Sequence, residues 1–238
     1  MSCVVIATYN EAGTIERILD ELRDYRVIVV DDSSPDGTGE LVRKYDNATL
    51  ISRPGKMGVA SAYIRGFTEA LKTDETNIIQ MDAGGTHRPK DVGILDSAAL
   101  LFSYDLVIGS RFVQRHRTPY RVDGWTFHGG RTLISLGAAF LMRRLGINVH
   151  DATSGFRCWN RTVLERMDFN IQSKGFAFQI ELLYQAHKLG ASIAEIPIPY
   201  RLTNSSFNPT MLKEALSIYW RLWRGHYLQH TQDSRWHL

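Results

Sequence analysis

Short, almost wholly apolar runs, each breaking off into polar or acidic side chains, constrain this chain more than any other feature. Val4-Val5-Ile6-Ala7 ends in Thr8-Tyr9-Asn10, and Val27-Ile28-Val29-Val30 ends in Asp31-Asp32. Ile78-Ile79-Gln80-Met81 ends at Asp82, and the run from Asp105 to Ile108 leads into Ser110-Arg111. A strand with one wet face alternates apolar and polar residues; a continuous apolar run is buried on both faces. The segments between them, Thr14 to Leu22, Gly37 to Tyr45 and Gly58 to Leu71, read as helices, with Ala48 to Ile51 as one more short strand. The expectation is an α/β fold, a mostly parallel central sheet with helices on both faces. Ligands of such sheets bind beyond the carboxyl ends of the strands. Polar residues collect at those ends: Thr8, Asn10, Glu11, Asp31, Asp32, Asp82, Ser110 and Arg111.

The second half is less regular. Thr132 to Leu145 and Phe178 to Leu189 read as helices, Ser192 to Ile196 as a strand, and Met211 to Tyr227 as a last helix. With 238 residues, 44% of them hydrophobic, the chain suits one large domain. No repeat, low-complexity tract or linker divides it, so residues 1–210 are expected to form the domain and 211–238 an amphipathic helix with a polar tail. A formal charge of +3 argues neither for nor against nucleic acid. Cys3 and Cys158, far apart in sequence, read as free thiols of a reducing compartment, which points to the cytoplasm. The first apolar run is short and lacks a preceding basic segment, so a signal peptide is not expected. No stretch approaches the roughly 18 to 20 apolar residues of a membrane span. The chain is expected not to cross a bilayer, although it could lie on one.

Two familiar phosphate motifs are absent. Gly37-Thr38-Gly39 lacks the third glycine of a dinucleotide fingerprint, and Gly55-Lys56 is followed by Met57 where a P-loop needs a hydroxyl. The eight histidines show no metal-ligand spacing. The stronger pattern is distributed. Thr8-Tyr9-Asn10-Glu11 is followed by Asp31-Asp32-Ser33-Ser34-Pro35-Asp36-Gly37-Thr38, by Arg53, Lys56, Gly58 and Gly66, by Asp82-Ala83, and by Gly109-Ser110-Arg111. Later come Asp151-Ala152-Thr153-Ser154-Gly155-Phe156-Arg157, the stretch from Lys174 to Glu181, and Glu195-Ile196-Pro197-Ile198-Pro199-Tyr200-Arg201. Over roughly residues 3 to 201 this order and spacing resembles the inverting family 2 glycosyltransferases of GT-A fold, and among them the polyprenyl-phosphate (dolichyl-phosphate) mannosyltransferases.

The resemblance implies transfer of a hexose such as mannose from a nucleoside diphosphate sugar, GDP-mannose first, with inversion. Carboxylates at strand ends suit such a donor, because they accept hydrogen bonds from base and ribose. Thr8, Asn10, Glu11, Asp32, Lys56, Asp82 and Ala83 are the donor-binding candidates, while Asp36 serves equally well as a helix cap. At Asp82 the resemblance implies an Asp-x-Asp pair holding a Mg or Mn ion against the diphosphate. This chain reads Asp82-Ala83-Gly84, so the second carboxylate is missing and Asp82 is the sole metal candidate, with Thr86 or His87 as conceivable helpers. One or two carboxylates with substrate phosphates suffice for magnesium.

Arginines crowd the next segment: Arg111, Arg115, Arg117, Arg121 and Arg131, against the single acid Asp123. Arginine grips phosphate bidentately. Arg111 and Arg131 match family positions and are, with Asp151, the catalytic candidates. Asp151 would act as general base toward a hydroxyl acceptor; a phosphate acceptor is already an anion and needs none. Otherwise Asp151 orients Arg157 or the Thr153-Ser154 turn. Arg157, Gln179, Glu181 and Arg201 are the acceptor or phosphate candidates, and Gln179 and Glu181 also read as helix caps. After the Pro-Ile strand the family carries an arginine and then a Ser-Lys pair. Here Arg201 stands in for the arginine and the lysine is absent. The helix 211–227 sets Trp220 and Trp223 beside Lys213, Arg221 and Arg224, which suits a membrane interface or a cover for the sheet edge. Three functions stay open: a membrane-surface transferase acting on a polyprenyl phosphate, a soluble transferase acting on a hydroxyl of protein, glycan or modified DNA, or a nucleotide-sugar-binding protein without catalysis.

Overall fold

The computed structural model describes residues 2–113, 130–173, 175–199, 213, 214 and 216–224, with the side chains of 130–133 outside the description. Seven strands form one sheet: β1 (Ser2–Thr8), β2 (Arg26–Asp31), β3 (Ala48–Ser52), β4 (Asn77–Asp82), β5 (Leu106–Ser110), β6 (Arg157–Asn160) and β7 (Ile193–Pro197), in the order β3-β2-β1-β4-β6-β5-β7. All pairings are parallel except those of β6, which runs antiparallel to both β4 and β5. The apolar runs are why β1, β2 and β4 lie at the centre: Val4, Val5, Ile6, Val27, Val29, Val30, Ile78, Ile79 and Met81 are fully buried.

Helices cover both faces, as the mostly parallel sheet requires. Helices α1 (Ala12–Glu21), α2 (Thr38–Val42) and α4 (Val92–Phe102) serve one side, where Ile15, Ile18, Leu19, Val42, Val92 and Leu95 join a core with Val4, Val29 and Ile79. Helices α3 (Val59–Ala70), α5 (Gly130–Arg144) and α7 (Phe178–Lys188) serve the other, through Tyr63, Phe67, Met142, Phe178 and Leu182. Helix α3 lies so close to β1 that a Cβ at Gly66 would stand 2.3 Å from Val5 Cγ1. The short α6 (Arg161–Glu165) follows β6, capped by the Asn160 side chain, which accepts the Thr162 N–H. Cys3 and Cys158 are free and buried, and burial pushes the Cys3 thiol up to about 12.

Three elements differ from the sequence expectation. Helix α2 ends at Val42, because Lys44 and Tyr45 bond three residues back, to Leu41 and Val42, and tighten the chain into turns. Helix α4 was not expected: Ile94, Leu100, Leu101 and Phe102 are exposed, so its apolar residues trace no single stripe. Strand β6 is four residues long and hides behind the Asp151–Arg157 motif. Its direction matters for function, since an antiparallel strand brings its beginning to the edge where its parallel neighbours end. Gln80 of β4 and Ile108 of β5 both register with Arg157.

Residues 216–224 are helical, with Ile218 buried and Tyr219, Leu222 and Trp223 packed on the α5–α7 core. Trp220 is half exposed and stacks on Trp223 at 5.2 Å between centroids. Among the described residues no helix is long and apolar enough to cross a membrane.

Candidate active site

The groups at the carboxyl edge fall into a row that follows the strand order. At β2, Asp32 is buried and committed: it accepts the Arg53 Nε–H at 2.5 Å and the Met57 N–H at 3.0 Å. Arg53 also donates to Ser61 Oγ and the Gly58 carbonyl, so the pair ties the end of β2 to the start of α3. Asp31, its neighbour, accepts from Thr8 Oγ1 at 3.0 Å, Ser34 N at 3.0 Å and Ser34 Oγ at 2.5 Å. Thr8 is thereby locked to the adjacent strand end. Asp36 accepts from Ala12 N and from the backbone and hydroxyl of Thr38, so it clamps α1 to α2, and the Thr38 hydroxyl holds its carboxyl below the usual value. Asn10 takes a left-handed conformation, φ 60°, with its N–H on Ser34 Oγ. Glu11 is partly buried, which pushes its carboxyl up, and it accepts from Thr14, whose hydroxyl also reaches the Ala83 carbonyl. Lys56 sits 4.4 Å over the Tyr9 ring, just beyond the end of β1.

Asp82 ends β4, the central strand, with its side chain 30% exposed. Tyr63 reaches it from α3 at 2.9 Å, and burial holds that phenol well above its ordinary pKa. His87 backs it: buried and stacked on Phe156 at 4.9 Å, its Nδ1 faces the Asp82 N–H at 3.4 Å. Burial lowers the His87 pKa, and the same Nδ1 stands 3.8 Å from Asp82 Oδ2, beyond hydrogen-bond length. Among the described residues no three His, Cys, Asp or Glu side chains gather as an ion site. The donor set therefore fits Mg or Mn only where a diphosphate supplies the remaining ligands, with Asp82 as the carboxylate at this strand end.

At β5 the second arginine–aspartate pair stands. Arg111 donates to Asp151 through its backbone N–H at 3.0 Å, its Nε at 2.7 Å and a terminal nitrogen at 2.5 Å. The same end of the guanidinium reaches Ser135 Oγ of α5 at 3.2 Å and Thr153 Oγ1 at 2.8 Å. Asp151 is fully buried, and its own backbone N–H is held by Glu195 of β7 at 2.8 Å. Glu195 also takes the backbone N–H and the Nδ1 of His150. Asp151 thus orients Arg111, and the carboxylate offered as a base is filled with donors. Glu195 and Ser135 carried no separate role in the sequence; Ser135 comes from α5, Glu195 through the parallel pairing of β7 with β5, and Thr153 from the turn before β6.

Arg157 differs from the phosphate ligand expected. It is fully buried, with its donors on the carbonyls of Ala152, Ser154 and Gln179 at 2.8 to 2.9 Å, and burial lowers its pKa to about 9. It fastens the loop before β6 to α7. Glu181 is engaged as well: it accepts from Ser173 N, Ser173 Oγ and Gln172 N, and from Arg221 of the last helical stretch at 2.7 Å. Gln179 lies toward Asp82 across Gly155. The Arg131 side chain and all of Arg115, Arg117, Arg121, Lys174 and Arg201 lie outside the described residues.

Residues 3–168 match the profile of Glycosyl transferase family 2. A polyprenol monophosphomannose synthase from Mycolicibacterium smegmatis is 34% identical over 90% of this chain and 83% of its own length. An undecaprenyl-phosphate mannosyltransferase from Micrococcus luteus is 35% identical over 82% of each. Glucosyl-3-phosphoglycerate synthase from Mycobacterium tuberculosis superposes with a TM-score of 0.68 at 20% identity, over 93% of this chain and 79% of that one. Mannosyl-3-phosphoglycerate synthase from Rubrobacter xylanophilus does so with a TM-score of 0.65 at 16% identity, over 99% and 75%. At such identities these structures speak for the fold alone.

Proposed function

This chain belongs to glycosyl transferase family 2 and is a glycosyltransferase, and from that premise we propose that it moves a hexose, mannose first, from a nucleoside diphosphate sugar to a polyprenyl phosphate with inversion. The observation that carries the reading is the row of groups along the strand ends: Asp32 at β2, Thr8 at β1, Asp82 at β4 and Arg111 at β5. A base and ribose suit the Asp32 end, a diphosphate suits Asp82, and an anionic acceptor suits Arg111. One relative is named for a lipid-linked phosphomannose product and the other for mannosyl transfer to a lipid phosphate, which favours such an acceptor here.

The chemistry is a single displacement. An acceptor phosphate oxygen attacks the anomeric carbon from the side opposite the diphosphate, the new C–O bond forms as the old one breaks, and the electron pair leaves on the diphosphate. A phosphate acceptor needs no base, which accords with a saturated Asp151. Arg111 holds the acceptor anion, with its guanidinium fixed in place by Asp151, Ser135 and Thr153, so little reorganisation accompanies reaction. Asp82 is the residue that would hold a divalent ion, whose chemistry there would be to neutralise leaving-group charge. The exposed Leu136 and Phe140 on α5, next to Ser135, and half-exposed Trp220 with Arg224 over its ring favour peripheral contact with a lipid surface.

The test is a panel of nucleoside diphosphate sugars, with and without Mn2+, incubated with a short polyprenyl phosphate in detergent. GDP-mannose is expected to yield a lipid-extractable mannosyl phosphate of configuration opposite to the donor. Retained configuration, or consumption of no donor in the panel, overturns the proposal.

A further inference from the structure

We infer that Gln179 reads the hydroxyls of the transferred hexose, in a cradle that exists because residue 155 is glycine. The inference rests on the donor reading above and adds the residue that discriminates among sugars. Gln179 occupies the first turn of α7, is 1% exposed, and its Oε1 is buried with no hydrogen-bond partner among the described residues. An orphaned buried amide oxygen costs about 1–3 kcal/mol, which an apolar side chain of the same length would avoid. The backbone of Gln179 is spoken for: its carbonyl takes Arg157 and its N–H takes the Phe176 carbonyl. Only the side-chain amide is left without a structural task.

Its surroundings say what it meets. A Cβ built on Gly155 would stand 3.4 Å from Gln179 Nε2, 3.3 Å from Asp82 Oδ1 and 3.5 Å from Asp82 Oδ2. The amide of Gln179 and the carboxylate of Asp82 therefore border one small space, kept open by the missing side chain. Asp82 and Gly155 are both part exposed, while Gln179 closes the inner side of the space. The occupant follows from the strand order. A ligand with its base at β2 and its diphosphate at Asp82 on β4 advances two strand intervals, roughly 10 Å. Its next group arrives at the beginning of β6, where Gly155 and Gln179 stand, one strand before Arg111. That group is the sugar. A primary amide offers one acceptor and two donors and pairs with neighbouring hydroxyls of a hexose without adding charge beside a diphosphate. Arg157 is accordingly a positioning residue, since it sets α7 against the Gly155 loop.

Calorimetry on the full chain in Mn2+, comparing GDP with GDP-mannose, tests this. Gln179→Met keeps the volume and removes both polar atoms; Gly155→Ala fills the cradle and leaves the amide. Both are expected to weaken GDP-mannose about tenfold while GDP alone stays within about twofold, and to narrow the preference for GDP-mannose over its C2 epimer GDP-glucose. Equal losses for GDP and GDP-mannose would make Gln179 a diphosphate or ion ligand and overturn the inference. Unchanged GDP-mannose affinity in either folded variant would overturn it as well. Wild-type protein that binds no nucleoside diphosphate sugar would instead overturn the donor reading, and this inference with it.

Discussion

Two arginine–aspartate pairs stand at the ends of the same row of strand ends, and they are built in opposite ways. Asp32 and Arg53 are both sealed, with side chains 7% and 8% exposed. Asp151 is sealed completely while Arg111 keeps 20% of its side chain in solvent. The first pair is closed upon itself and joins two elements of the scaffold; what it presents to a ligand is its outer edge and the loop it fixes. The second is a mount: the buried Asp151 carboxylate grips an arginine that stays partly in solvent, and the Asp151 backbone N–H donates to Glu195. Near-identical side-chain chemistry is thus sealed in one place and left partly in solvent in the other, and that difference in burial of the arginine is why the proposed anion site is put at Arg111 and not at Arg53.

That difference can be broken experimentally. Arg53→Met strands Asp32 in a dry site, so the expected loss is about 3–5 kcal/mol of stability by denaturant unfolding. A loss below 1 kcal/mol would mean the pair is not closed. Asp32→Ala, in a variant that stays folded, is expected to weaken nucleoside diphosphate binding several-fold by calorimetry, because the loop of Met57 loses its anchor. Arg111→Met is expected to act on turnover instead. Transfer to a lipid phosphate should fall about a hundredfold, as for removal of one oriented charge, with donor affinity unchanged. A parallel loss of donor affinity would erase the distinction between the two ends.

Between them stands Asp82, with Gly84 where the family carries a second carboxylate. Gly84→Asp is expected to tighten Mn2+ binding in the absence of nucleotide by about tenfold, since a second carboxylate adds a fixed ligand. Wild-type protein that already binds Mn2+ tightly without nucleotide would show that another ligand completes the site. The smallest expected effect concerns His87. Its folded pKa lies below the ordinary 6.5, so the unfolded chain binds the extra proton first. Stability contributed by neutral His87 is therefore complete above about pH 6.5 and declines as pH falls toward the lowered value, by at most about 1.4 kcal/mol per pH unit. Unfolding curves between pH 7 and pH 5 for wild type and His87→Gln should differ in that slope.

The placing of the proposed donor groups was legible in the sequence because each of them directly follows an apolar run. Asp31, Asp32 and Asp82 could be placed at one edge once the runs were taken as parallel strands, and Thr8 followed with them. The surroundings of the proposed acceptor group were not legible in the same way. Arg111 was placed by its strand, but its partners arrive from α5 and from the loop before β6, and the placing of that loop depends on the antiparallel course of a four-residue strand. Local pattern carries no information on such a meeting. For the same reason Arg157 resembled a phosphate ligand: an arginine in a polar motif gives no hint that three carbonyls from two segments will enclose it. Gln179 and Glu181, two residues apart on one helix, were open to the same readings, yet Glu181 latches the loop at Ser173 to Arg221 while Gln179 borders the space beside Asp82.

The account turns on Arg111 meeting a phosphate rather than a hydroxyl. The direct test offers the protein the same short polyprenyl chain in two forms, as the phosphate and as the free alcohol, with labelled GDP-mannose in detergent. The account predicts label in the lipid phosphate product and none above background on the alcohol, with the phosphate reaction collapsing in Arg111→Met. Equal transfer to the alcohol, or transfer undiminished without Arg111, would contradict it.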